Sequence, residues 1–129
     1  MRIYRSLAVV ALMSAATAVG SPASAQTAAS GAGAQAFMAC RACHTLDKGG
    51  KNGIGPNLYG LIGRPAASVP GFRYSPALKA SKLTWDVATL SDYLAAPSKK
   101  VPGTRMPVMV PDATKRAALI AYLKAETSK

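Results

Sequence analysis

Two thiols and an imidazole stand within five residues, in Cys40-Arg41-Ala42-Cys43-His44. On a helical turn, residues three apart share a face, so both sulfurs can reach one edge of a flat ligand while the next residue turns its ring toward it. In a chain that leaves the cytoplasm, as the leading segment described below implies, this C-x-x-C-H spacing is that of covalent haem attachment: thioether bonds to two vinyl groups, and the histidine on iron. Other uses of paired cysteines fit less well. A disulfide between Cys40 and Cys43 would close a very short loop and add little stability. A thioredoxin-like redox pair needs a strand feeding a helix, and no such pattern surrounds these residues. Zinc needs further ligands, and the chain has no other Cys and no other His.

A haem iron held by His44 wants a sixth ligand or an open site. With a single histidine in the chain, a second imidazole is excluded and methionine is the next donor, one that raises the reduction potential by favouring ferrous iron. Met1 and Met13 lie in the leading segment, and Met38 sits beside Cys40 on the attachment side. Met106 and Met109 remain.

These groups need a scaffold, which begins after residue 25. Residues 1–25 read as a secretory signal peptide: Arg2 and Arg5, an apolar run from Leu7 to Val19, helix-breaking Gly20, Ser21 and Pro22, then the small-x-small site Ala23-Ser24-Ala25, cut after Ala25. The apolar run is short for a membrane span of about 20 residues, which argues against an uncleaved anchor. Residues 26–32 read as a flexible leader and residues 33–129 as the domain. Helix formers up to Cys40 predict a first helix starting near Gly33, with Phe37 and Met38 as its bulky residues. Gly and Pro from Thr45 to Pro70 predict a long loop. Ser75-Pro76 reads as the start of a short helix ending at Lys79 or Ala80. Thr84 reads as the N-cap of a helix that stops before Pro97, with Val87, Leu90, Tyr93 and Leu94 on one face. Prolines at 97, 102, 107 and 111 argue against regular structure between Ala96 and Pro111, and Asp112 caps a last helix with Leu119, Tyr122 and Leu123 on one face. The fold class is therefore all-α, with about four short helices. Loops this long in a small domain wrap something, and a covalent haem would fill the core that short helices leave open.

The chain of 129 residues has 16 Lys and Arg against 5 Asp and Glu, a net charge of +11, and losing Arg2 and Arg5 leaves +9. The basic residues are scattered, with no helix-turn-helix, zinc-finger or RNA-binding motif around them, so nucleic acid is not the expected partner. The acids Asp47, Asp86, Asp92, Asp112 and Glu126 fit caps and solvated faces, and the one histidine is already used. No general acid or base is left for catalysis, so the chain reads as neither an enzyme nor a binder of small-molecule substrates.

Further blocks accompany the C-x-x-C-H segment: Lys48-Gly49-Gly50; Gly55-Pro56-Asn57-Leu58-Tyr59-Gly60-Leu61-Ile62-Gly63-Arg64; Pro70-Gly71-Phe72-x-Tyr74; Leu83-Thr84-Trp85; Tyr93-Leu94; Pro102-Gly103-Thr104-x-Met106; and Leu119-Ile120-Ala121-Tyr122-Leu123-Lys124. In these blocks and the intervals between them the sequence resembles the mitochondrial-like class I cytochromes c, from about Gly33 to Lys124. The resemblance implies the class I cytochrome c fold around one covalent haem c, with His44 and Met106 as iron ligands and Met109 outside the motif. It implies that the Pro56 carbonyl accepts from the His44 imidazole and fixes its orientation, that Tyr93 hydrogen-bonds near the methionine sulfur, and that Arg64, Tyr74 and Trp85 surround the haem propionates. Composition alone would read the last three as a surface arginine and core aromatics. Val108 departs from the family, which carries an aromatic there at the exposed haem edge, and Leu78 stands where a polar residue often holds an internal water. Arg105 replaces a lysine and keeps its charge.

The implied function is that of a soluble periplasmic carrier of single electrons, monomeric, meeting membranes only through its partners. Those partners would be acidic redox proteins, such as an oxidase, a cytochrome complex or a dehydrogenase. Arg41, Lys51, Lys99, Lys100 and Arg105 would steer it toward them.

Overall fold

The computed structural model describes residues 23–129, so the expected signal peptide lies outside the described residues apart from its last three positions. Five helices are found among the described residues: α1 (Ala23–Phe37), α2 (Pro76–Ser81), α3 (Val87–Ala95), α4 (Pro97–Lys100) and α5 (Ala113–Glu126). The sole extended pairing among those residues is an isolated bridge between Pro65 and Thr84.

α1 and α5 form the frame. α1 starts at Ala23 rather than near Gly33, so the segment 26–32, expected as a flexible leader, is helical. Its alanines are the residues that lose least on entering a helix, and composition alone underrated them. Gly33 stands in the helix because the two helices touch there. A Cβ at that position would lie 2.5 Å from Tyr122 Cβ and collide with the Ala118 carbonyl. The cost of a mid-helix glycine, about 1 kcal/mol relative to Ala, is thus offset by a close crossing. Phe37 packs on Tyr122 with ring centroids 5.8 Å apart, while Leu119, Ile120 and Leu123 of α5 are buried. Met38, expected to share Phe37's role, is 58% exposed.

α3 closes the core against α5, and its start differs from the expected one. Thr84 is not the N-cap. Trp85 donates its N–H to the Arg64 carbonyl at 2.9 Å and accepts from the Gly63 N–H at 2.9 Å, which holds this stretch extended. The helix begins only after Asp86, whose carboxylate accepts from the Thr89 N–H at 2.7 Å. Val87, as first residue of the helix, is 47% exposed and leaves the buried face to Leu90, Tyr93 and Leu94. α4 is the helix not expected between Ala96 and Pro111. Pro97 sits at its first position, where a missing N–H is no loss and the fixed φ favours the turn. α2 begins as expected, with Ser75 Oγ accepting from the Leu78 N–H at 3.1 Å, and runs one residue past Ala80.

Candidate haem-binding site

The first helix does not end cleanly at Phe37. Cys40 and Arg41 donate their N–H groups to the Phe37 carbonyl at 2.8 and 3.0 Å, and Cys43 and His44 donate to the Cys40 carbonyl, both at 3.0 Å. Successive turns thereby carry the chain from α1 to His44 and bring Cys40, Cys43 and His44 to the wall of one cavity of about 280 Å³. Both cysteines are half-buried, and no disulfide joins them.

The ring of His44 is fixed from two sides. Its Nδ1 lies 2.7 Å from the Pro56 carbonyl. A carbonyl only accepts, so Nδ1 carries the proton and Nε2 keeps the lone pair that a metal would use. Burial lowers the imidazole pKa, with the Pro56 contact opposing it, and the neutral ring is the form a metal binds. Against the ring face lies Gly55, where a Cβ would come within 2.7 Å of Nδ1 and 2.8 Å of Nε2. Only a glycine leaves the ring this room.

Met106 lines the same cavity, whereas Met109 does not and is 60% exposed. The hydroxyl of Tyr93 is 2.5 Å from Thr104 Oγ1, and the Met106 N–H donates to the same Oγ1 at 3.5 Å. The resemblance placed Tyr93 beside the methionine. The structure connects the two through Thr104, a residue not singled out from the sequence. The far end of this loop is held by Arg116, which donates to the carbonyls of Val110 and Pro111, each at 2.8 Å, and to Ser91 Oγ at 3.0 Å.

Arg64, Tyr74 and Trp85 line the cavity as well. Tyr74 Oη accepts from the Val69 N–H at 3.1 Å, which leaves its own proton to donate. Burial raises the Tyr74 pKa, so the phenol stays a donor at neutral pH. Arg64 spends donors on the carbonyls of Tyr59 at 2.6 Å and Asn57 at 3.2 Å, and burial lowers its pKa. It holds the loop as well as facing the cavity, a double role that a surface arginine would not have. Trp85 is buried and packs on Tyr93 with ring centroids 5.0 Å apart and planes tilted by 51°. Phenol, guanidinium and indole are donors suited to carboxylates.

All nine residues expected at the site therefore border one cavity. Its remaining wall is largely apolar, with Leu58, Leu61, Leu78, Leu90, Leu94 and Val108 among its residues. Two sulfurs, an imidazole nitrogen and a thioether around a largely apolar cavity that also carries polar donors fit a haem. Gly55, Thr104 and Asn57 were present in the resembling blocks but carry no reactive group, so chemistry did not draw attention to them. Of the basic residues expected to steer, Arg105 borders the cavity and is exposed, and Arg41, Lys51 and Lys99 are exposed. Lys100 is not a free charge, since its ammonium pairs with Asp92 at 3.0 Å.

Comparisons with known proteins identify the family. A family model described as cytochrome c matches residues 30–126. A cytochrome c2 of Rhodoblastus acidophilus is 48% identical over 102 residues, covering 76% of this chain and 95% of that protein. A cytochrome c2 of Blastochloris viridis is 45% identical over 104 residues, covering 80% of each. The solved structure of cytochrome cH from Methylobacterium extorquens superimposes with a TM-score of 0.69 at 47% identity, covering 74% of this chain and 97% of that one. The chain belongs to the cytochrome c family, with the all-α class I fold. Haem c is its cofactor, and Cys40 and Cys43 have the spacing of covalent attachment. It is an electron carrier that works with redox partner proteins.

Proposed function

We propose that this chain is a periplasmic carrier of single electrons in which His44 and Met106 are the axial ligands of a haem c bound through Cys40 and Cys43. The observation that carries this reading is the placement of Cys40, Cys43, His44 and Met106 around one apolar cavity, with Met109 outside it.

When bound, the haem supplies an iron that alternates between ferric and ferrous states. The protein's residues do the rest. Cys40 and Cys43 retain the group covalently, so it stays even when the chain loosens. His44, its tautomer set by Pro56, presents Nε2. Met106 presents a thioether, which favours the reduced state. With His44 and Met106 both holding the iron, no place would remain at the metal for a substrate, and the acids of the chain, Asp47, Asp86, Asp92, Asp112 and Glu126, are not among the residues that line the cavity. Arg64, Tyr74 and Trp85 offer donors to the propionates, while the leucines of the wall exclude water. This arrangement supports a carrier rather than an enzyme.

The signal peptide read in residues 1–25, cut after Ala25, supports export to the periplasm. Among the described residues no helix is long and apolar enough to cross a membrane. The excess of basic over acidic residues favours acidic docking faces on an oxidase, a cytochrome complex or a dehydrogenase, met as a monomer.

Two readouts on protein purified from the periplasm test the reading. Mass of the denatured chain should equal residues 26–129 plus one haem, and reduced protein should not bind carbon monoxide. Rapid carbon monoxide binding would move the reading to a ligand-binding or peroxidatic haem, and a haem-free mass would overturn it.

A further inference from the structure

A single peptide unit connects His44 to a side chain that no motif singled out. The amide joining Pro56 to Asn57 carries the carbonyl that accepts from His44 Nδ1 at 2.7 Å. The N–H of that same amide donates to Asn52 Oδ1 at 2.9 Å. We propose that Asn52 is a positioning residue that sets the strength of the His44 hydrogen bond, and through it lowers the reduction potential. The proposal rests on His44 being an axial ligand.

The polarity of the arrangement is fixed by its partners. Asn52 Nδ2 donates to the Pro70 carbonyl at 3.1 Å. With a donor on one side and an acceptor on the other, the Asn52 amide has one orientation, and its oxygen must face Asn57. The peptide is also gripped from beyond. Asn57, 8% exposed, donates through Nδ2 to Thr45 Oγ1 at 2.8 Å and to the Asp47 carbonyl at 3.0 Å, and accepts at Oδ1 from the Tyr59 N–H at 3.0 Å. Pro56, with its fixed φ, removes freedom on the other side of the carbonyl. The peptide plane cannot turn to follow the imidazole, so the ring follows the peptide.

Hydrogen bonds in a chain polarise one another. When the Asn57 N–H donates to Asn52, electron density shifts along the amide toward the Pro56 oxygen, which then accepts more strongly from Nδ1. A ring whose Nδ1–H is drawn toward an acceptor is a more basic ligand at Nε2, and outer partners of a ligating histidine act in this way. A more basic ligand favours the ferric state. Asn52 thus opposes part of the rise that the Met106 thioether produces.

The test uses the holoprotein with Asn52→Leu and Asn52→Ala, which neither accept nor donate, and Asn52→Asp, which accepts but cannot hold Pro70. Potentials are read by spectroelectrochemical titration, and exchange of the His44 ring N–H and Asn57 amide by NMR of the reduced form. The expected result is a positive shift of potential in the Leu and Ala variants, with faster exchange at both sites. Exchange at the His44 ring in the Asp variant should stay near wild type. Faster exchange at Asn57 with an unchanged potential and an unchanged ring proton would overturn the proposal, leaving Asn52 as a tie between loops. If the apolar variants fail to take up haem, the Asp variant decides: ring exchange well above wild type there overturns the proposal too. A wild-type spectrum without histidine ligation would instead sink the reading of the site, a failure visible before any Asn52 variant is made.

Discussion

Thr104 Oγ1 lies 2.5 Å from Tyr93 Oη and also accepts the Met106 N–H at 3.5 Å, so one hydroxyl ties the methionine loop to α3. Burial raises the Tyr93 pKa, with the Thr104 contact opposing it, and the phenol remains protonated through the neutral range. Thr104→Val keeps the shape and removes both contacts. The expected loss is about 1 kcal/mol of stability, the ordinary worth of one partly buried hydrogen bond. The sulfur-to-iron charge-transfer band of the ferric protein should disappear at a lower urea concentration than in wild type, ahead of the helical signal. Coincident loss of the two signals would mean that Thr104 does not act on the methionine loop.

Gly55 is expected to tolerate no side chain. A Cβ would press on the His44 ring at 2.7 and 2.8 Å from its nitrogens, and the ring has no room to retreat from the Pro56 carbonyl. Gly55→Ala should therefore yield little holoprotein, or a form whose low-spin spectrum is perturbed, as measured by haem absorbance per polypeptide. Normal yield with a normal spectrum would show that the ring is less confined than this geometry requires.

Acid should loosen the start of α3. The Thr89 backbone N–H, then its side chain, hold the exposed Asp86 carboxyl below its ordinary pKa. A group whose pKa is lowered on folding stabilises above its unfolded value, and that contribution fades as pH falls through the lowered value. The thermal midpoint of Asp86→Ala should lie below that of wild type near neutrality and converge with it in strong acid. A constant difference across the range would assign the effect to something other than the carboxylate cap.

Exchange of electrons with an acidic partner should slow as salt is added. The basic side chains at the surface act over a Debye length of about 8 Å at physiological ionic strength, which shrinks to about 3 Å near 1 M. Stopped-flow rates measured across this range should fall steeply, with Arg105→Gln flattening the slope because Arg105 borders the cavity and is exposed. Lys100→Gln should change it less, since Lys100 already pairs with Asp92 at 3.0 Å. A flat wild-type profile would remove steering from the account.

The chemistry-bearing residues were legible in the sequence because each carries a group that few other readings can use: two thiols, one imidazole, and a methionine inside a matching block. Cys40, Cys43, His44 and Met106 indeed border one cavity. Helix interiors were legible too, through the period of Leu90, Tyr93 and Leu94 and of Leu119 and Leu123. The boundaries were not. Thr84 and Asp86 are both good caps, and the choice between them falls to the bonds from Trp85 to Gly63 and Arg64, a pairing across about 20 residues of chain that no local pattern announces. The alanine-rich start of α1 reads locally as a leader. Gly33 and Gly55 show their purpose only once Tyr122 and His44 are in place beside them. The polar network of Asn52 and Asn57 was invisible for the same reason, because its partners are mostly backbone groups whose positions depend on the folded loop.

The central claim, His44 and Met106 on one covalent haem, is tested most directly by the ferric spectrum of the wild type beside Met106→Ala and Met109→Ala. The account predicts a sulfur-to-iron charge-transfer band in wild type and Met109→Ala and none in Met106→Ala, with haem remaining on the denatured polypeptide in all of them. A band that survives Met106→Ala and vanishes with Met109→Ala would contradict it.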